Sequence, residues 1–145
     1  MTNKVIENIL FLIIQWLKLR ICFLTILGIG INNNIKVIGC TYDVKNNISK
    51  HIIISKKDDI KKLSGSKYLQ SYTVEAFKEI KSLNKAMIIG TPCQIASINN
   101  YLNITKQREN FILVDLICHG IPTYNLWKKV ISKKDDIETV KFRDK

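Results

Sequence analysis

Arginine occurs three times in 145 residues, proline twice, and no two of the four cysteines stand in a C-x-x-C pair. Each shortage excludes something. The formal charge is +11, from 23 basic against 12 acidic residues, and a basic excess of that size commonly marks a phosphate-rich partner. Nucleic-acid sites favour arginine for its planar, bidentate fork. Here the charge is almost all lysine, in scattered pairs such as Lys56-Lys57, Lys61-Lys62, Lys128-Lys129 and Lys133-Lys134. It reads as a solvated lysine surface and not as a nucleic-acid footprint. Four cysteines are too few for a disulfide-stapled scaffold. There is no low-complexity tract, internal repeat or interdomain linker. Disorder is excluded as well, because 46% of residues are apolar and the mean hydropathy is +0.03, a globular balance.

The longest apolar run, Ile9 to Ile31, approaches the ~20 residues that span a bilayer. Lys18 and Arg20 fall near its middle, where each costs on the order of 3 kcal/mol. The residues before it carry Lys4 balanced by Glu7, unlike the basic start of a signal peptide, and no cleavage site follows. The run is therefore expected to be a buried helix followed by Gly28 and Gly30. A membrane segment is the alternative for this run; the matching expectation is a cytoplasmic protein that binds no nucleic acid and for which a membrane partner is the lesser option.

Beyond Asn32 the pattern is regular. Turn clusters at Asn32-Asn33-Asn34 and Asn46-Asn47 bracket β-rich runs at Ile35–Thr41 and His51–Ser55. Lys56 to Leu63 and Val74 to Leu83 read as helices, the second with Val74, Phe77 and Ile80 on its apolar face. Ala86–Ile89 and Asn110–Ile117 read as strands, separated by a helix from Thr91-Pro92 to about Leu102 and followed by another opening at Thr123. Strand, helix, strand, helix at these lengths is a βαβ unit. The fold class expected is α/β, with a parallel or mixed sheet.

In such sheets ligands bind beyond the carboxyl ends of the strands, and two cysteines fall there. Thr91 suits an N-cap and Pro92 a first helical position, so Cys93 enters the first turn of a helix, where a thiol is biased toward thiolate. Cys118 closes the next strand in Asp115-Leu116-Ile117-Cys118-His119-Gly120. The pair suits a cofactor or iron-sulfur environment, whereas Cys22 reads as core and Cys40, after Gly39, stays open between the two. His119 has the chemistry to donate to a cofactor, orient a carboxylate or ligate a metal; His51, leading a strand, reads as surface. The loop Gly65-Ser66-Lys67-Tyr68-Leu69-Gln70-Ser71 gathers hydroxyls, an amine, an amide and a phenol behind a glycine, a set suited to an anionic ligand.

Taken in order, Lys62 to Ser71, Gly90-Thr91-Pro92-Cys93-Gln94-Ile95-Ala96, Val114 to Pro122 and Phe142-Arg143-Asp144-Lys145 resemble the beta-subunit family of coenzyme F420 hydrogenases and dehydrogenases, and Gly39-Cys40-Thr41-Tyr42-Asp43 fits the same pattern. The resemblance implies a flavoprotein that binds FAD and a 4Fe-4S cluster. Such a protein passes electrons to a deazaflavin or another acceptor, beside a ferredoxin or a hydrogenase/dehydrogenase subunit. Bacterial relatives also occur beside polysaccharide synthesis. It further implies Cys93, Cys118 and Cys40 as candidate cluster ligands, with Ser66, Lys67, Tyr68, Gln70, Thr91, Gln94 and His119 as candidate cofactor contacts.

The chain departs from that family in length and in cysteine content. Members are usually more than twice as long, with a cysteine-rich ferredoxin-type segment before this region and a further portion after Phe-Arg-Asp-Lys. The expectation is a truncated member: residues 1–31 an apolar segment unlike the family, residues 32–145 a partial beta-subunit-type α/β domain. A non-catalytic remnant that keeps the scaffold and binds no cofactor is the alternative.

Overall fold

A computed structural model describes residues 19–134 and 137–142, with side chains from Thr25 onward. Its centre is a five-stranded mixed sheet. In chain order the strands are β1 (Lys36–Asp43), β2 (Ile48–Ile54), the short β3 (Ser71–Tyr72), β4 (Ala86–Gly90) and β5 (Phe111–Asp115). They lie side by side as β3-β2-β1-β4-β5. β1, β4 and β5 run parallel, β2 returns antiparallel to β1, and β3 pairs parallel with β2. The expected α/β class with a mixed sheet and a βαβ unit is therefore what the chain adopts.

Helices cover both faces. On one lie α1 (Leu19–Asn32) and the single turn α2 (Ile60–Leu63), on the other α3 (Val74–Lys78) and α4 (Pro92–Ile104); α5 (Tyr124–Ile131) follows the sheet. Alternation along the strands divides the apolar side chains between the two faces. Val37, Ile54, Met87, Ile89 and Val114 meet Leu27, Ile31 and Leu63, while Ile38, Ala86, Ile88, Phe111 and Leu113 meet Ala76, Ile80, Ile95, Ile98 and Leu102. Each fully buried side chain of this size contributes roughly 1.5–3 kcal/mol relative to exposure.

Three expectations change on contact with the structure. α1 runs through Gly28 and Gly30 and does not stop before them; at Gly30 the helix packs so closely that an added Cβ would lie 3.3 Å from the Met87 methyl. Among the described residues no helix is long and apolar enough to cross a membrane; residues 9–18 of the apolar run lie outside the described residues. In the helix expected from Val74, the buried positions are Ala76, Ile80 and Leu83, and Val74 is 60% exposed. Phe77 and Ile80 pack on the core as expected, Val74 at the first helical position does not, and the second half is a 3-10 turn, Glu79–Ser82. The last strand ends at Asp115, two residues short of Ile117, and Leu116 to Cys118 are exposed.

Candidate functional site

The carboxyl ends of β1, β4 and β5 and the beginning of β2 share one edge of the sheet, because β2 runs against its neighbours. α4 starts there. Thr91 takes the extended N-cap conformation and Pro92 the first turn, as expected. The Thr91 amide and hydroxyl both donate to Gln94 Oε1, at 3.0 and 3.1 Å. Cys93 is exposed, its Sγ 3.2 Å from Thr91 Oγ1. With the threonine hydroxyl hydrogen directed to Gln94, the thiol is the donor in that contact.

From Gln94 a chain of hydrogen bonds runs inward. Gln94 Nε2 donates to Ser71 Oγ at 2.9 Å, Ser71 Oγ lies 2.9 Å from His51 Nδ1, and His51 Nε2 lies 3.1 Å from the Ile89 carbonyl oxygen. The carbonyl only accepts, so His51 carries its proton on Nε2 and Nδ1 accepts from Ser71. His51 is 4% exposed, contrary to its reading as a surface residue. Burial pushes its pKa below the ordinary histidine range, partly opposed by the bond to Ile89. Sequence reasoning missed this residue because nothing local marks it. Its partners come from β3 and β4, and only the antiparallel return of β2 delivers it to them.

Cys40 stands directly across from His51 in the β1–β2 register and is half-buried. Burial raises the pKa of its thiol, against the opposing pull of the Lys67 ammonium and of the Ser71 and Ser49 hydroxyls. Lys67 is itself lowered by burial, against the influence of Cys40, and its Nζ donates to the Leu63 and Ser64 carbonyls at 2.9 and 2.8 Å. The amine expected to meet an anionic ligand is instead spent inside the loop. At the end of β5, burial raises the Asp115 pKa, and its Oδ1 has no hydrogen-bond partner among the described residues.

The outer rim is aromatic. Phe142, the described member of the Phe-Arg-Asp-Lys motif, has its ring centroid 5.4 Å from Tyr42, 5.1 Å from Trp127 and 6.4 Å from Tyr68. Tyr124 Oη donates to the Gln70 carbonyl at 2.6 Å, fastening α5 to the Ser66–Gln70 loop. Ser66, Tyr68, Gln70, Cys118 and His119 remain exposed. The candidate contacts thus divide in two: Lys67, Thr91 and Gln94 brace the edge, and Ser66, Tyr68, Gln70 and His119 face outward from it.

Among the described residues no three His, Cys, Asp or Glu side chains gather closely enough to hold a metal ion. Cys40, Cys93 and Cys118 therefore do not fit a cluster site as a set. An exposed phenol ring, two polar side chains and a histidine at the strand ends are groups able to contact a planar, hydrogen-bonding cofactor.

A mixed α/β sheet with its polar side chains collected at the carboxyl ends of the parallel strands defines the class of this protein. Residues 83–144 match the family described as the C terminus of the coenzyme F420 hydrogenase/dehydrogenase beta subunit. Over that stretch the chain is similar to the coenzyme F420 hydrogenase/dehydrogenase beta-subunit family, which supports the resemblance that the motifs carry. No curated protein matches its sequence. Its structure is similar to a chain of the F420-reducing NiFe hydrogenase complex from Methanosarcina barkeri, solved with xenon derivatization, at a TM-score of 0.62 and 18% identity over 77% of this chain. At that identity the likeness speaks for the fold. The match covers 42% of the hydrogenase chain, so this chain spans under half of that relative's length.

Proposed function

We propose that the chain is a flavin-binding electron-transfer module of the beta-subunit type, cytoplasmic, working beside a hydrogenase or dehydrogenase subunit or a ferredoxin. The observation that carries this reading is the family match over residues 83–144, which opens on the strand and turn that Gln94, Ser71 and His51 brace. Residues 32–145 are its partial domain and residues 1–31 precede it. Ser66, Tyr68, Gln70 and His119 would hold FAD at the rim, where Tyr68 is an exposed phenol. When bound, the flavin supplies the hydride or electron chemistry; the protein's own part is to orient the ring and limit its contact with water. A deazaflavin acceptor and a link to polysaccharide synthesis are the finer forms of the same proposal.

The inward Lys67 amine favours a second reading, a scaffold that keeps the edge and binds no cofactor. Titrating the purified chain with FAD under anaerobic conditions separates the two. Saturable quenching of flavin fluorescence, weakened at least tenfold by Tyr68→Ala with Gln70→Ala, is the expected result. No quenching at any FAD concentration selects the scaffold.

A further inference from the structure

The two edges of the sheet are built differently. On one side it ends in β3, two residues long, and so short an edge strand offers little backbone for another chain to pair with. On the other it ends in β5, whose five residues pair with β4 and, among the described residues, with no other strand. The Leu116 amide donates to the Gly90 carbonyl at 2.9 Å, which fixes the phase of that parallel ladder. Ile112 and Val114 turn their backbone groups to β4, so Phe111, Leu113 and Asp115 turn theirs outward. The usual guards of an edge are missing. Phe111-Ile112-Leu113-Val114 holds no charged residue and no proline, and its side chains are buried or half-buried, as in a strand at the middle of a sheet.

Two charged side chains mark the ends of that edge. Alternation places Asp115 on the α4 face with Phe111 and Leu113, and its Oδ1 has no hydrogen-bond partner among the described residues. Arg108, just before β5, lies on the same face: its Nε donates to Asn99 Oδ1 of α4 at 2.6 Å, and its Nη1 to the outward Phe111 carbonyl at 2.7 Å. A guanidinium has five N–H donors and serves several acceptors at once. Its neighbour Glu109 is exposed, whereas Arg108 is half-buried. A second β5 running antiparallel, related by a two-fold axis at Leu113, brings the end of each strand to the start of the other. Leu113 then faces its own copy and Phe111 faces Asp115. Each Asp115 carboxylate arrives beside the Arg108 that holds the opposing Phe111 carbonyl, so opposite charges meet at both ends.

We propose that β5 is a self-association edge: two copies of the chain pair their β5 strands antiparallel about Leu113 into one continuous sheet, through the outward main-chain groups of Phe111, Leu113 and Asp115 and an Arg108–Asp115 ion pair at each end. A second copy is the occupant because one sequence supplies both halves of the charge match, in the register that uses every outward group. The joined sheet, twice five strands, is within the natural range of open sheets. The edge shares no residue with the proposed flavin rim, so the pairing is independent of cofactor binding.

The test is sedimentation velocity of the intact chain over a wide concentration range, at about 0.15 M salt, where the net charge of +11 is screened beyond about 8 Å. A monomer passing to a dimer is expected. Amide hydrogen exchange, read residue by residue, locates the contact. The Leu113 and Asp115 amides should exchange freely in the dilute monomer and about tenfold or more slowly in the dimer, while those of Ile112 and Val114, bonded to β4, stay slow in both. Asp115→Asn should weaken the dimer roughly fivefold. Asp115→Pro, which removes an outward amide and no bond to β4, should weaken it about tenfold or more. Val74→Ser, at an exposed position beyond the other edge, should change it less than about twofold. Circular dichroism of each variant confirms that it folds. A monomer at every concentration overturns the proposal. So does a dimer that leaves Leu113 exchange unchanged or is insensitive to both Asp115 variants, which would move the contact to another surface. A monomer whose Leu113 and Asp115 amides are slow even when dilute overturns it as well, because the edge is then occupied from within the chain.

Discussion

Gln94 and Ser71, 23 residues apart in sequence, meet at 2.9 Å, and through that one bond the first turn of α4 is tied to the histidine at the start of β2. The carboxamide is used at both ends. Its oxygen takes the Thr91 amide and hydroxyl, and its nitrogen holds Ser71 in place. No other standard side chain of that length both accepts and donates in this way.

Replacing Gln94 by Leu should therefore cost about 1–3 kcal/mol, the scale for leaving buried polar groups without partners. Gln94→Glu should recover the Thr91 end and not the Ser71 end. Gly90 supplies a check on the geometry, since a Cβ there would stand 3.1 Å from Gln94 Oε1 and 3.2 Å from Gln94 Cβ. Gly90→Ala should destabilise by ~1–3 kcal/mol through crowding, and by less when Gln94 is already Ala. Urea unfolding of the four proteins closes the cycle; strict additivity would show that the two residues do not act on each other.

Stability should fall as the solution is acidified from neutral through His51. Its folded pKa lies below the unfolded value of about 6.5, so the unfolded chain binds more protons in the interval between them. Stability is then whole above about pH 6.5 and declines on acidification toward the lower, folded value. His51→Gln should remove that decline while lowering stability at neutral pH. Thermal melts across this range report both effects, and an unchanged slope in the variant would assign the pH dependence elsewhere.

The three described thiols should differ in their reaction with a neutral alkylating agent. Cys93 and Cys118 are exposed, and Cys40 is half-buried with its pKa raised by burial. Cys93 and Cys118 should modify first, read peptide by peptide by mass spectrometry, and Cys40 only slowly in the folded protein. Equal rates in the native state, persisting below denaturing conditions, would contradict the placement of Cys40.

Much of the scaffold is written locally. Asn34 and Asn47 take left-handed conformations at the two turns, positions where asparagine is tolerated, and Thr91-Pro92 opens α4 as its chemistry requires. Thr123 caps α5, accepting from the Leu126 amide at 3.4 Å. Pairings between distant segments are not legible in this way. His51 looks like any polar residue leading a strand, and only the order β2-β1-β4 sets it over Ile89. Lys67 looks like a free cation, and only the conformation of its own loop turns the amine back onto Leu63 and Ser64. Val74 is misplaced because it opens its helix, at the end away from the core, while Phe77 and Ile80 keep the expected spacing and pack.

The Val44–Asn47 turn has a role that follows from the direction of β2. It joins β1 to β2 on the same edge that carries Cys93, Cys118 and the Ser66–Gln70 loop, whereas the connection from Thr105 to Asn110 lies at the opposite end of the strands. Residues inserted into the hairpin would add material to the reactive rim without interrupting the bonds beneath it. Residues inserted after α4 would enlarge the far end and leave the rim unaltered. The hairpin is thus the natural port for grafting new recognition onto this scaffold, and the other connection the natural place for a tag or a tether.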